Sequence, residues 1–346
     1  MQFRPFVSIS HLALVCALAG PVAAQSFMPS SVAAVEPGFD EGRIVVDVSE
    51  VQVFFNVRQR DRLVQGLNAT DFRVLEDNRP QTIKFFAENA QEPLSLAILV
   101  DSSTSQSRVL EQEKSVGHKF LSGVLAQGDE ALVVGFDSYI QMFQDFSTEQ
   151  DRLVAAIGES SLGARKRTAL LDFGPVPKLR STALYDAIVA TSRQRMSMRL
   201  GHKAMVIVTD GEDNGSRTHL ADAIQAAQRA DTICYVLLVA DKSVRERRDY
   251  RGVARMKELA AETGGRLITV GKKVDDMERS FSEVAYELRH QYTLAYTPRR
   301  NPERGDYRTI QVLSRHGYQV QARKGYFASK FSTRAAGPTN KTAAAE

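Results

Sequence analysis

Residues 94–105 read Leu94-Ser95-Leu96-Ala97-Ile98-Leu99-Val100-Asp101-Ser102-Ser103-Thr104-Ser105, an apolar run that ends in one carboxylate and a cluster of hydroxyls. The run is too short to cross a bilayer and suits a strand buried on both faces of a parallel sheet. At its carboxyl end Asp101, Ser103 and Ser105 follow at alternating positions. Open α/β folds bind their ligands at that edge of the sheet. Oxygen donors alone, with no His or Cys among them, suit Mg²⁺, Ca²⁺ or Mn²⁺ rather than zinc or copper. Two later stretches point to the same edge. Ser181-Thr182-Ala183-Leu184-Tyr185-Asp186-Ala187-Ile188 puts a hydroxyl pair at the start of an amphipathic helix, and Ala204-Met205-Val206-Ile207-Val208-Thr209-Asp210-Gly211 is a second buried strand ending in a carboxylate and a glycine turn. Three loops are thereby expected to bring Asp101, Ser103, Ser105, Thr182 and Asp210 within reach of one point.

The order and spacing of these five residues resembles the von Willebrand factor A (vWA) domain and its metal-ion-dependent adhesion site. The surrounding pattern extends over roughly residues 92–290. The resemblance implies that Ser103, Ser105 and Thr182 ligate one divalent cation, Mg²⁺ foremost, with Mn²⁺ or Ca²⁺ as alternatives. It implies that Asp101 and Asp210 bind the cation mainly through waters. One coordination position is then left for an Asp or Glu carboxylate on a protein partner.

The composition is that of a soluble globular protein: 346 residues, 43% hydrophobic and 25% charged, enough for two domains. The N-terminus stands apart. Arg4 precedes an apolar stretch from His11 to Ala19, and Gly20-Pro21-Val22-Ala23-Ala24 follows. That pattern reads as a secretory signal peptide cut after Ala24, and implies an exported protein, periplasmic or secreted. A retained anchor is the alternative. A lipoprotein reading of Cys16 is disfavoured by bulky Val15 before it. No later stretch is long and apolar enough to span a bilayer. The mature chain keeps only Cys234, in the apolar run Ile233–Val239, where a lone cysteine reads as a small core residue. The net charge of +4 is no nucleic-acid signature. The basic runs Arg165-Lys166-Arg167, Arg245 with Arg247-Arg248, and Arg299-Arg300 read as solvated loop charge.

Organisation follows the change of hydrophobic period. Residues 1–24 are the signal peptide and 25–42 a Ser-, Ala- and Pro-rich linker. Residues 43–91 read as a small all-β unit, with strands at 44–48, 51–57, 71–76 and 82–86 and a turn at Asp77-Asn78-Arg79-Pro80. Residues 92–290 alternate strand and helix, with a long loop over 158–180, and imply a doubly wound, mostly parallel α/β sheet with helices on both faces. Residues 291–328 return to β, and 329–346 are a polar, Ala-rich tail read as disordered. Neither β piece has enough residues to close a core. Domain termini usually lie close together, so the two pieces are expected to join as one β-sandwich into which the α/β domain is inserted. The flanking motifs Gly66-Leu67-Asn68-Ala69-Thr70-Asp71-Phe72 and Ala322-Arg323-Lys324-Gly325-Tyr326-Phe327 resemble those of exported bacterial vWA-related proteins.

Three functions compete. The first is cation-dependent binding of an acidic side chain on a protein partner. The second is a scaffold or assembly factor of the cell envelope that works without metal. The third, a metal-dependent hydrolase, is disfavoured, because hydroxyl donors make a poor base for water and no G-x-S-x-G, H-E-x-x-H or P-loop motif occurs. The expectation is a protein that is not an enzyme. His202 and His219 read as surface or turn histidines. Glu212, Asp213 and Asn214 read as turn residues capping the next helix, in preference to a second metal site. Asp186 is a candidate to orient the loop by hydrogen bonding.

Overall fold

In the computed structural model the described residues are 50–88, 92–102, 113–161, 182–239, 250–271, 274–299 and 305–328. The first β unit holds β1 (Val51–Gln59), β2 (Arg62–Leu63), β3 (Phe72–Glu76), β4 (Arg79–Gln81) and β5 (Ile83–Glu88). The α/β region follows with β6 (Leu94–Asp101), α1 (Glu113–Val124), β7 (Glu130–Phe136), β8 (Ile140–Ser147) and α2 (Gln150–Ser161). It continues with α3 (Leu184–Gln194), β9 (His202–Thr209), α4 (Leu220–Arg229) and β10 (Ile233–Val239). It ends with α5 (Tyr250–Thr263), β11 (Leu267–Val270) and α6 (Val274–Arg289). The last β piece holds β12 (Tyr292–Tyr296), β13 (Tyr307–Ser314), β14 (Gln319–Ala322) and β15 (Gly325–Phe327).

The central sheet has the order β11-β10-β9-β6-β7-β8. All its pairings are parallel except β7 with β8. Numbered from β6, this is the order 3-2-1-4-5-6 of a doubly wound fold, whose switch point lies between β6 and β9. Every residue of β6, β9 and β10 is buried, as continuous apolar runs require. Alternate side chains serve opposite faces. Leu96, Ile98 and Val100 pack with Phe120 and Leu121 of α1, Ile157 of α2 and Phe281 of α6. Ala97 and Leu99 pack with Ile188 of α3, Ala227 of α4 and Met256 of α5. Each fully buried Leu, Ile or Phe is worth about 1.5–3 kcal/mol relative to exposure.

The two flanks close a β-sandwich around this insertion. One sheet runs β14-β1-β12-β5, with β2 paired to β1, and the other β15-β13-β3-β4. Strands from before the α/β domain pair antiparallel with strands from after it: β1 with β12 and β14, β5 with β12, and β3 with β13. Between the sheets lie Val53, Phe55, Phe72, Val74, Tyr292, Leu294, Tyr296, Ile310 and Val312. A buried ion pair sits in this core, between the neighbouring strands β3 and β13. Arg308 Nη1 donates to Glu76 Oε1 at 2.8 Å, and the Tyr296 and Tyr326 hydroxyls donate to Glu76 Oε2 at 2.8 and 3.0 Å. The flanking motifs are parts of this framework. The Asn68 side chain accepts from Thr70 N while Asp71 accepts from Asn68 N, and the Leu67 N–H donates to the Tyr292 hydroxyl at 3.1 Å. Gly325 is required by crowding, since a Cβ there would lie 2.4 Å from the Arg308 carbonyl oxygen.

Several local readings change. Arg79 and Pro80 belong to strand β4 rather than to the turn. Asp77 and Asn78, at φ +46° and +60°, form a two-residue hairpin turn of the primed kind. Pro80 is tolerated because β4 lies at the sheet edge. Strand β15 and the two-residue β2 were not expected. Helix α2 runs on to Ser161, into the stretch read as loop. The leader, the linker, the strand read at 44–48, residues 162–180 of the long loop and the tail lie outside the described residues, as do Arg165-Lys166-Arg167, Arg245, Arg247-Arg248 and Arg300.

The sandwich sheet that holds β1 lies against the amino edge of the central sheet. Asn56 Nδ2 donates to the Tyr235 hydroxyl at 3.1 Å, and Arg58 pairs with Glu287 at 2.9 Å. Arg266 pairs with Glu287 and Glu283. His202 is buried in this contact, its ring stacked on Phe54 with centroids 4.4 Å apart, which corrects its reading as a surface or turn residue. Burial pushes its pKa down to about 4, against a weaker opposing effect of Gln291. The folded pKa is below the unfolded value near 6.5, so the unfolded chain binds the extra proton between pH 6.5 and 4. His202 therefore contributes stability above pH 6.5 that is lost as the pH falls towards 4, by about 3 kcal/mol in all. Urea unfolding at pH 7 and 4.5 checks this. His202→Phe keeps the stack and should lose distinctly less stability over that interval than the unaltered chain. Equal losses would show that His202 does not carry the acid sensitivity.

Candidate functional site

The carboxyl ends of β6 and β9 bring two carboxylates to the switch point. Val100 is paired in register with Val208, which sets Asp101 level with Thr209 and Asp210 one residue beyond. Adjacent strands lie about 4.8 Å apart. Both aspartates are buried, at 1% and 5% exposure. Thr209 Oγ1 donates to Asp101 Oδ2 at 2.9 Å and also accepts from Gly211 N at 3.1 Å, so one hydroxyl ties the two strand ends together. Glu212 N donates to Asp210 Oδ1 at 3.0 Å and turns the chain back over the sheet. Gly211 sits at φ +85°. Helix α5 comes so close that a Cβ on Gly252 would lie 2.7 Å from the Gly211 carbonyl oxygen.

Thr182 reaches the same edge from the other side. It is buried, directly before α3. Its N–H donates to Asn214 Oδ1 at 2.8 Å, and its carbonyl accepts from Asn214 N at 3.3 Å and Gly215 N at 3.0 Å. Ala183 N donates to the Asp137 carbonyl at 2.9 Å, beyond the end of β7, whose Phe136 carbonyl accepts from Ser102 N at 2.9 Å. Asp101, Thr182 and Asp210 thus stand on three loops joined by hydrogen bonds. Ser103 and Ser105 lie outside the described residues.

The turn after Asp210 does more than the sequence suggested, and does it elsewhere. Ala183 stands at the N-cap of α3 and has no side chain to cap it. The orphan N–H groups of the first turn must find other acceptors. Tyr185 N donates to Asp213 Oδ1 at 3.3 Å and Asp186 N to Ser216 Oγ at 3.1 Å. In return the Asp186 carboxylate accepts from Arg217 N at 3.0 Å and from Thr218 N and Oγ1 at 2.9 and 2.6 Å. Asp213 and Asn214 therefore serve α3 and Thr182, not the following helix α4. Helix α4 starts just after His219, whose N–H donates to Asp222 Oδ2 at 2.8 Å and whose carbonyl accepts from Asp222 N at 3.0 Å. Asp186 orients the loop, as a candidate for that role should.

Burial raises the Asp213 pKa, partly offset by hydrogen bonds from Ser216 and the backbone of Tyr185. Burial likewise raises the Tyr185 phenol, with Asp213 adding to the rise and Arg255 opposing it. These residues border an open groove of about 600 Å³ between α4 and α5, lined also by His219, Arg255 and Glu258.

The donor chemistry fits a hard divalent cation. Two buried carboxylates at neighbouring strand ends repel one another, and a cation between them would reverse the sign of that interaction. Among the described residues no group of three or more His, Cys, Asp or Glu side chains could hold a metal, so hydroxyl oxygens would have to complete the set. Thr182 is one such hydroxyl.

No protein-family model and no curated protein matches the chain. Solved structures do. A conserved hypothetical protein BatB from Bacteroides thetaiotaomicron matches at 16% identity and TM-score 0.42, over 56% of this chain and 98% of its own. An aerotolerance-related membrane protein from Bacteroides fragilis matches at 17% identity and TM-score 0.41, over 56% and 99%. A von Willebrand factor type A protein from Catenulispora acidiphila matches at 13% identity and TM-score 0.43, over 79% and 75%. These are remote likenesses, and the doubly wound α/β fold of the central domain stands on its own strand order. Among the described residues no helix is long and apolar enough to cross a membrane.

Proposed function

We propose that this chain is an exported binding module whose α/β domain captures a protein partner through one divalent cation, Mg²⁺ foremost. Asp101, Ser103, Ser105, Thr182 and Asp210 would hold the cation, and an Asp or Glu of the partner would complete its shell. The observation that carries this reading is the convergence of Asp101, Asp210 and Thr182 at the switch point of the sheet, on loops that hydrogen-bond to one another. The export half rests on the leader pattern of residues 1–24.

When bound, the cation supplies an electrophilic centre for a carboxylate oxygen. The chain's own residues do the rest. Thr209 holds Asp101 in one orientation, and the Gly211 turn holds Asp210 beside it. Burial of both carboxylates strengthens their pull on a cation, because little water is near to screen it. The hydroxyl of Thr182 adds a neutral donor, which leaves positive charge for the partner's carboxylate. Neutral hydroxyls also make a poor base for water, so no turnover of ester, phosphate or peptide is proposed.

Calorimetry with Mg²⁺ and Mn²⁺ tests the cation. One site should bind at or below millimolar metal, and Asp101→Ala and Asp210→Ala should each weaken binding beyond detection while the unfolding midpoint stays near that of the unaltered chain. Equal binding by the unaltered chain and Asp101→Ala, or none by either, would exclude the site. Capture of an acidic partner from envelope extract that survives a chelator would favour the metal-independent scaffold instead.

A further inference from the structure

We infer that Asn214 is a positioning residue that couples the Thr182 loop to the Asp210 loop, so that two of the three proposed cation-binding loops move as one body. Its bearing on cations rests on the binding reading above; the coupling itself does not.

The geometry is a short two-way bridge. The Asn214 side chain accepts the Thr182 N–H at 2.8 Å, and the Asn214 and Gly215 amides donate back to the Thr182 carbonyl. Both backbone polar groups of Thr182 are therefore held by the loop that follows Asp210. The bridge does not stand alone. Asp213, Ser216 and Thr218 wrap the first turn of α3 through Tyr185 and Asp186, because Ala183 leaves that turn without a side-chain cap. The hydroxyl of Thr182 starts from a backbone fixed at its N–H and carbonyl by Asn214 and Gly215 and followed by a helix fixed by residues 213–218. Asp101, on the third loop, is tied to the strand end beneath Asp210 by the Thr209 hydroxyl. A short polar side chain at 214 meets the one requirement of the bridge, an acceptor at the Thr182 amide. Asp offers the same acceptor, while Ala and Leu do not.

Amide hydrogen exchange in metal-free protein reads the coupling directly. Asn214→Ala and Asn214→Leu should speed exchange at Thr182 by about tenfold or more, the protection that one hydrogen bond of ordinary net strength supplies. Exchange at Val189, inside α3, should stay slow and serves as the control that the fold persists. Asn214→Asp should keep Thr182 protected. Mn²⁺ titration then reads the consequence. Asn214→Ala should bind about 10- to 100-fold more weakly than the unaltered chain, the usual cost of removing a partner that orients a ligand, and Asn214→Asp should recover most of that loss. Unchanged Thr182 exchange in Asn214→Ala overturns the inference. Faster exchange with unaltered Mn²⁺ affinity overturns its bearing on the cation. Faster exchange in a protein whose unaltered form binds no Mn²⁺ upholds the coupling and sinks the cation reading instead.

Discussion

Replacing Arg308 by Met should remove about 3–5 kcal/mol of folding stability, read as a drop in the urea midpoint at pH 7. The reason is what stays behind. Glu76 and Arg308 are both 3% exposed, and Arg308 is the positive charge bonded to that carboxylate inside the sandwich. Without it Glu76 retains only the hydroxyls of Tyr296 and Tyr326 as hydrogen-bond donors, a poor exchange for a full charge in a dry core. A double variant, Glu76→Leu with Arg308→Met, removes both charges and should be more stable than Arg308→Met alone. A loss below about 1 kcal/mol in the single variant would mean that the pair is far better hydrated than its burial implies.

Ending the chain after Arg289 should have a larger effect still. It removes β12 from between β1 and β5, β14 from the other side of β1, and β13 and β15 from beside β3. What remains of the sandwich is β1 and β5 without the strand that joins them, and the hairpin β3–β4 without its neighbour. Val53, Phe55, Phe72 and Val74 would lose Tyr292, Leu294, Ile310 and Val312 from the same core. Residues 50–88 should become open to proteolysis, and the truncated chain should aggregate through unpaired edges and exposed Phe and Val side chains. The α/β domain keeps its two cores and should remain resistant. Protease digestion with mass spectrometry of the fragments is the check. A soluble truncated chain with 50–88 fully protected would show that the first flank folds alone.

The central sheet was legible because its strands are written in the simplest code available. Leu96–Val100, Ala204–Val208 and Ile233–Val239 are unbroken apolar runs, and only burial on both faces explains such runs. The sandwich was legible at one remove, from two β pieces each too small to close a core. Among the parts missed are a hairpin set by local backbone angles and contacts with partners remote in sequence. Nothing near Pro80 announces that β4 is an edge strand, since its pairing with β3 depends on the positive φ angles of Asp77 and Asn78. His202 sits next to Gly201 and reads as a turn, yet it is buried because β1 brings Phe54 over it. At the site, hydroxyls and carboxylates at strand ends were visible as a pattern. The work of Asp213 and Asn214 was not, because a capping residue is ordinarily sought just before its own helix. Here α3 is capped by a loop that follows it in the chain, and the only hint was Ala at position 183, a residue unable to cap.

The interleaving of the two flanks also sets an order of events in time. Leu67 meets Tyr292 across 225 residues, and Glu76 meets Arg308 across 232. Contacts of that span are slow to form unless the intervening chain has already been shortened. Folding of the α/β domain performs that shortening, since it draws the ends of β6 and α6 to one edge of the molecule. The ribosome, however, delivers β1 to β5 first and their partners last. Until β12 and β13 emerge, β1, β3 and β5 lack their long-range partners, the kind of species that association with other chains can trap. The sandwich is therefore a seal applied after the α/β domain, and its closure reports that synthesis has passed β13.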